Sequence, residues 1–154
     1  MDNELNFSEI KKLIPHREPF IYLDHLVDII KLEKASGIKI FKKNEDFFRG
    51  HFPGNPVVPG VILIEMMAQT AAALIAYSLK SETFDKIVYL MNVESSKFRR
   101  PVFPEMKVRA DVESLRSRGR VWKFYGKMYD ENSNDNNIVC ESIWSAMIMD
   151  KKNV

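Results

Sequence analysis

The longest apolar stretch in the chain, Val61–Leu79, shows no alternation: Val61, Ile62, Leu63, Ile64, Met66, Met67 and a block of alanines run on with few polar interruptions. Its strong helix formers predict a helix apolar on every face, the pattern of a core helix or a membrane span. Glu65 and Gln69 are four residues apart and share one face of that helix. Ahead of it, Ser8 followed by Glu9, Ile10, Leu13 and Ile14 predicts a short helix capped by Ser8 and stopped by Pro15. P-H-R-E-P-F (Pro15–Phe20) predicts a turn, and Phe20–Ile30 a strand whose alternation is partial. Ala35-Ser36-Gly37 predicts an interruption, after which Ile38–Phe41 alternates as a second strand. Lys86–Val93 predicts a third strand, whereas the two prolines in Lys97–Pro104 predict an extended or irregular segment. Three more strands are expected at Met106–Leu115, Val121–Tyr129 and Ile138–Met149, joined by a hairpin turn at Ser117–Arg120 and a longer polar loop at Glu131–Asn137.

Strands that succeed one another without helices between them pair antiparallel, and a long apolar helix among them is buried only if the sheet wraps it. The expectation is an α+β chain: one domain over residues 1–154, with 151–154 frayed at the end and no internal repeat. A length of 154 residues suffices to bury a sizeable core. The membrane alternative is weakened by Glu65, Gln69, Thr70 and Ser78, because a carboxylate near the centre of a span costs roughly 2.5–3.5 kcal/mol on insertion scales. A core helix is therefore expected, with no membrane span. A net charge of +2, from 23 basic and 21 acidic residues mixed along the chain, does not suggest a nucleic-acid partner. The N-terminus has neither the basic start and apolar core of a signal peptide nor the acid-poor composition of a transit peptide. The single cysteine, Cys140, suits a reducing compartment and reads as a small buried hydrophobe, so a cytoplasmic location is expected.

Candidate chemistry gathers just before and within the apolar run. Gly50–Gly60 holds one His, three Pro and three Gly in eleven residues, a loop stiffened by Pro53, Pro56 and Pro59. His51 on that loop carries the side chain best matched to general-base work near neutral pH. Glu65 follows Gly60 by five residues, about 7.5 Å along a helix. Burial of a carboxyl favours its neutral form, which suits a general acid, and His51 is its nearest candidate partner in sequence. Gly60 stands at the helix start, where unpaired N–H groups face any bound oxyanion. A base, an acid and an oxyanion site together suit proton abstraction beside a polarised carbonyl. Each feature also fits plain packing: a loop histidine, a structural ion pair, a Met- and Ala-rich core helix. His16, between Pro15 and Arg17, reads as a solvated turn residue, and His25 as a structural residue of a strand.

The ordered string G-H-F-P-G-N-P-V-V-P-G-V-I-L-I-E-M-M-A-Q, beginning at Gly50, resembles the motif of the (3R)-hydroxyacyl-acyl carrier protein dehydratases of type II fatty acid synthesis, the FabZ type. L-I-P-H-R-E-P-F (Leu13–Phe20), K-F-R-R-P-V (Lys97–Val102) and W-K-F (Trp122–Phe124) match in order, so the resemblance spans most of the chain. It implies a hot dog fold, and a homodimer, commonly assembled into trimers of dimers, whose sites each take His51 from one chain and Glu65 from the other. His51 would then take the α-proton of a β-hydroxyacyl thioester, Glu65 would help the β-hydroxyl leave as water, and the Gly60 N–H would polarise the thioester carbonyl. Tyr89 matches a position that lines or gates the acyl tunnel in some relatives. The implied partner is an acyl carrier protein, for which Lys97, Arg99 and Arg100 form either a docking patch or merely a solvated basic face. No metal or organic cofactor is implied, because the thioester itself acidifies the α-carbon. Glu at position 65 and the presence of Pro53 favour this branch over the related dehydratase-isomerases. The chain departs from the usual pattern at Glu105-Met106, where Gly-Asp is frequent, and at Asn92-Val93-Glu94, where G-I-D is usual. A hot dog thioesterase and a non-catalytic acyl-binding subunit are the alternatives that share this frame.

Overall fold

The structure, a computed structural model, describes residues 3–80, 86–134 and 137–150. The expected fraying of 151–154 and part of the polar loop expected at Glu131–Asn137 fall outside the described residues. A first helix, α1 (Phe7–Leu13), opens the fold. Its cap is Asn6 rather than Ser8: the Asn6 side chain accepts from the Glu9 N–H while the Glu9 carboxylate accepts from the Asn6 N–H. This reciprocal box occupies two otherwise orphaned donors, and Ser8, two residues further on, already lies inside the helix.

Strand β1 is confined to His25–Ile30, shorter than the apolar pattern suggests, because residues 21–24 run as an irregular segment over the core. Strand β2 (Lys34–Ile40) continues straight through Ala35-Ser36-Gly37, overturning the expected break. The physical reason is the close crossing of the long helix. A Cβ on Gly37 would lie 2.2 Å from Thr70 Oγ1 and 2.6 Å from a Leu23 methyl, so only glycine leaves room for the two layers there. A short 3-10 turn (Asp46–Arg49) and the proline-rich loop lead into α2 (Gly60–Ser78). β3 (Lys86–Phe98), β4 (Lys107–Arg118), β5 (Val121–Asp130) and β6 (Ile138–Asp150) complete the chain. The third strand therefore runs five residues beyond its expected end, and its register shifts on both sides of Asn92-Val93, the stretch that departs from the family pattern.

All pairings are antiparallel, in the order β1-β2-β4-β5-β6-β3, so β1 and β3 form the edges. The sheet lies against α2, whose Leu63, Met66, Met67 and residues 69–75 are buried. By length and composition alone (19 residues, mean hydropathy 1.6) α2 is apolar enough to cross a membrane. Here that apolar surface is spent on a core that also includes Ile10 and Ile14 from α1 and Phe124 and Trp144 from the sheet. The burial is not uniform. Val61 is 71% exposed, and Ile64, Glu65 and Ala68 on the same flank are only partly covered. On the edge strand β3, Tyr89, Leu90, Met91, Val93 and Phe98 are all exposed.

Candidate active site

The loop carrying His51 is tied down by its own backbone. The His51 N–H donates to the Phe47 carbonyl (3.0 Å), the Val57 N–H donates to the His51 carbonyl (2.9 Å), and Phe52 and Asn55 exchange hydrogen bonds around Gly54. The His51–Phe52 peptide is cis, and the imidazole stacks on the Phe52 ring at 4.0 Å between centroids. His51 Nδ1 lies 2.7 Å from the Val57 carbonyl oxygen. A carbonyl can only accept, so Nδ1 carries the proton and Nε2 keeps its lone pair. The ring is thereby held in the tautomer a general base requires.

Gly60 begins α2, and its N–H has no acceptor among the described residues. The edge of the Phe98 ring explains why glycine stands there: a Cβ would meet it at 2.8 Å. One and a half turns on, Glu65 is not sequestered, with 20% of its side chain exposed. Its Oε1 accepts from Gln69 Nε2 at 2.9 Å. Gln69 is itself fixed, because its Oε1 accepts from the Tyr22 N–H (2.7 Å) and its Nε2 also donates to the Phe20 carbonyl (3.0 Å). Those contacts settle which end of the amide faces Glu65. Tyr22 is buried, and burial, with the Glu45 and Glu65 carboxylates adding to it, raises the pKa of its phenol.

The second neighbour of Glu65 is His16, whose Nε2 stands 3.5 Å from the same Oε1. The solvated-turn reading of His16 is thus overturned: the turn folds back against α2 and leaves 18% of the side chain exposed. Periodicity carries no signal for this contact; the only hint in the sequence is that His16 lies inside the matching L-I-P-H-R-E-P-F string. His25 sits in β1, half exposed and 3.6 Å from a Glu4 carboxylate oxygen, away from these groups. No hydrogen bond or ion pair joins His51 to Glu65 within one chain, where the neighbours of Glu65 are Gln69 and His16.

An apolar cavity of about 210 Å³ lies between α1, α2 and the sheet, lined by Ile14, Ala72, Ile75, Val88 and Trp122 among others. Ala72 and Ala76 in its wall follow Glu65 and Gln69 along the same helical face. Tyr89, one residue beyond Val88, is exposed on the edge strand instead of lining this cavity. Lys97, Arg99 and Arg100 are exposed at the end of β3 and just after it, with Arg99 Nε 3.4 Å from Glu141. Among the described residues, no three His, Cys, Asp or Glu side chains gather into a metal-binding group.

An antiparallel sheet packed around one long helix defines a hot dog fold. Residues 14–142 match the FabA-like domain model, and the chain belongs to that family. It is 47% identical over 148 residues to the 3-hydroxyacyl-acyl-carrier-protein dehydratase FabZ of Acidiphilium cryptum, covering 96% of this chain and 87% of that one. The corresponding Rhodospirillum rubrum FabZ is 45% identical, with 96% and 90% covered. The fold is shared with the dehydratase heterocomplex ApeI:P of Xenorhabdus doucetiae, at a TM-score of 0.77 and 12% identity over 93% of this chain and 92% of that one. It is shared also with protein PH1136 of Pyrococcus horikoshii, at a TM-score of 0.64 and 14% identity over 90% and 92%.

Proposed function

We propose that this chain is a hydro-lyase that removes water from β-hydroxyacyl thioesters carried on acyl carrier protein, yielding trans-2-enoyl thioesters for fatty acid synthesis. The observation that carries the reading is the tautomer of His51: with Nδ1 donating to Val57, Nε2 is free to take a proton. That proton comes from the α-carbon of the thioester. Negative charge then builds on the thioester oxygen, where the unpartnered Gly60 N–H at the helix start can receive it. Glu65 gives a proton to the β-hydroxyl, the C–O bond breaks, and water leaves. The proton held by His51 returns to Glu65 through solvent, and the protein is regenerated without loss or gain.

Because His51 and Glu65 do not meet within one chain, the reading places them in a homodimer, each site drawing one residue from each copy. The exposed apolar side chains of edge strand β3, and exposed Val61 at the start of α2, support such a contact. In that assembly Tyr89 lies where the acyl chain would enter, and trimers of dimers are the larger form. Lys97, Arg99 and Arg100 receive the carrier, the enzyme works in the cytoplasm, and no span crosses a membrane. The nearly full-length similarity to proteins named 3-hydroxyacyl-acyl-carrier-protein dehydratase supports the carrier-bound substrate.

The test is hydration of a crotonyl thioester, followed by loss of enoyl absorbance. His51→Ala and Glu65→Gln should each lower kcat by about a hundredfold or more, the scale of a general acid or base, with the urea unfolding midpoint unchanged. Arg100→Glu should raise KM for carrier-bound substrate and spare a small thioester. Free thiol without enoyl turnover would instead identify a thioesterase, and wild-type-like rates in His51→Ala would overturn the mechanism.

A further inference from the structure

The reading above leaves open which oxygen of Glu65 does the chemistry, and the surroundings of the carboxyl decide it. Gln69 Nε2 donates to Oε1 at 2.9 Å and His16 Nε2 stands 3.5 Å from the same oxygen, while Oε2 has no such neighbour among the described residues. His16 Nδ1 is buried with no hydrogen-bond partner among them. A proton placed on Nδ1 would be a buried N–H without an acceptor, whereas a proton on Nε2 faces a carboxylate. The imidazole therefore turns an Nε2–H toward the carboxyl. Its backbone is also held: the Arg17 guanidinium donates to the carbonyls of Lys11, Ile14 and His16, clamping the turn that carries the ring against the end of α1.

We propose that His16 is a positioning residue for Glu65, which together with Gln69 holds Oε1 so that the acidic proton resides on Oε2 and is presented to the substrate's β-hydroxyl. Protonating the oxygen that faces both nitrogens would weaken both contacts, so the protonated form favours the arrangement with the proton on Oε2. A carboxyl free to rotate would place its proton toward Gln69 for part of the time and toward the substrate for the rest. Gln69 gives the carboxyl a single contact, since the other N–H of its amide goes to the Phe20 carbonyl. His16 supplies the second point that defines the plane.

This inference rests on the dehydratase reading, and the crotonyl thioester assay separates the two. An inactive wild type overturns the reading and the positioning role with it; an active wild type leaves the His16 variants to decide. His16→Leu removes the donor while filling the space, and should lower kcat by about tenfold to a hundredfold, as a misplaced catalytic group does, with KM changed less than about threefold. His16→Gln keeps a neutral N–H near the Nε2 position and should restore kcat to within about threefold of wild type. In a Glu65→Gln background, His16→Leu should cost nothing further, because its effect passes through the carboxyl. If His16→Leu fails to fold, His16→Asn, whose amide stops short of Glu65, takes its place. Wild-type kcat in the donor-less variant, absence of rescue by Gln in a folded protein, or a loss that adds in full to that of Glu65→Gln would each overturn the proposal.

Discussion

Cys140 is completely buried on β6, and removing its thiolate from water, with Glu141 adjacent, pushes the thiol up to about 12 from an ordinary 9.0. Below pH 9 the folded and unfolded chains both hold the proton, and the burial carries no pH-dependent penalty. Between pH 9 and about 12 the unfolded chain releases it while the folded chain keeps it, so stability falls as pH rises. Iodoacetamide at pH 8.5 should therefore leave native protein unmodified and label it readily in denaturing urea. Urea midpoints from pH 8 to 10.5 should fall less steeply in Cys140→Ala than in wild type; parallel slopes and rapid native labelling would contradict this account. Glu105 is a second residue whose setting explains a peculiarity of the sequence. Its φ of +69° lies in the left-handed region that favours glycine, which accounts for glycine being frequent there in the family. Here Glu105 is held by its N–H to the Phe41 carbonyl, and its carboxylate accepts from the Lys43 N–H.

Among the elements, the crossing of β2 over α2 controls how closely the sheet can wrap the helix. Ala35-Ser36-Gly37 reads as a loop by composition, because small and turn-forming residues together usually mark one. The neighbouring layer changes their meaning: Gly37 is small because Thr70 and Leu23 occupy the space a side chain would need. Gly37→Ala should destabilise the protein by about 1–3 kcal/mol through overpacking, read from urea unfolding. Gly50→Ala is the control, since a Cβ there meets nothing within 4 Å. Equal midpoints for the two variants would mean that the crossing is looser than it stands here. The last three strands, all interior, fall where the sequence places them: Met106–Leu115, Val121–Tyr129 and Ile138–Met149 lie within β4, β5 and β6 apart from Met106, one residue ahead of β4.

For the whole molecule, the proposed site is complete only when two copies share it, and mixing two disabled proteins tests this directly. In a dimer of His51→Ala with Glu65→Gln, one site combines both lesions and the other has neither. Random reassortment makes half of the dimers mixed, each with one of two sites intact, so the mixture should recover about a quarter of wild-type activity under two-fold symmetry. Each variant alone should stay inactive. If His51 and Glu65 came from one chain, mixing would recover nothing.

Local chemistry in the sequence determined the helix of α2, the stiff loop that presents His51, the antiparallel strand-rich plan and the residue types able to act as base and acid. These follow from propensity, alternation and turn residues, which depend on near neighbours along the chain. Only the tertiary structure decided that His16 turns back to face Glu65, that Gln69 is fixed by the backbone of Phe20 and Tyr22, and that His51 has its proton on Nδ1. Those contacts join residues 47 to 49 positions apart, or turn on which carbonyl a folded loop brings within reach. No periodicity records such distances, because they arise when separate elements pack on a shared core.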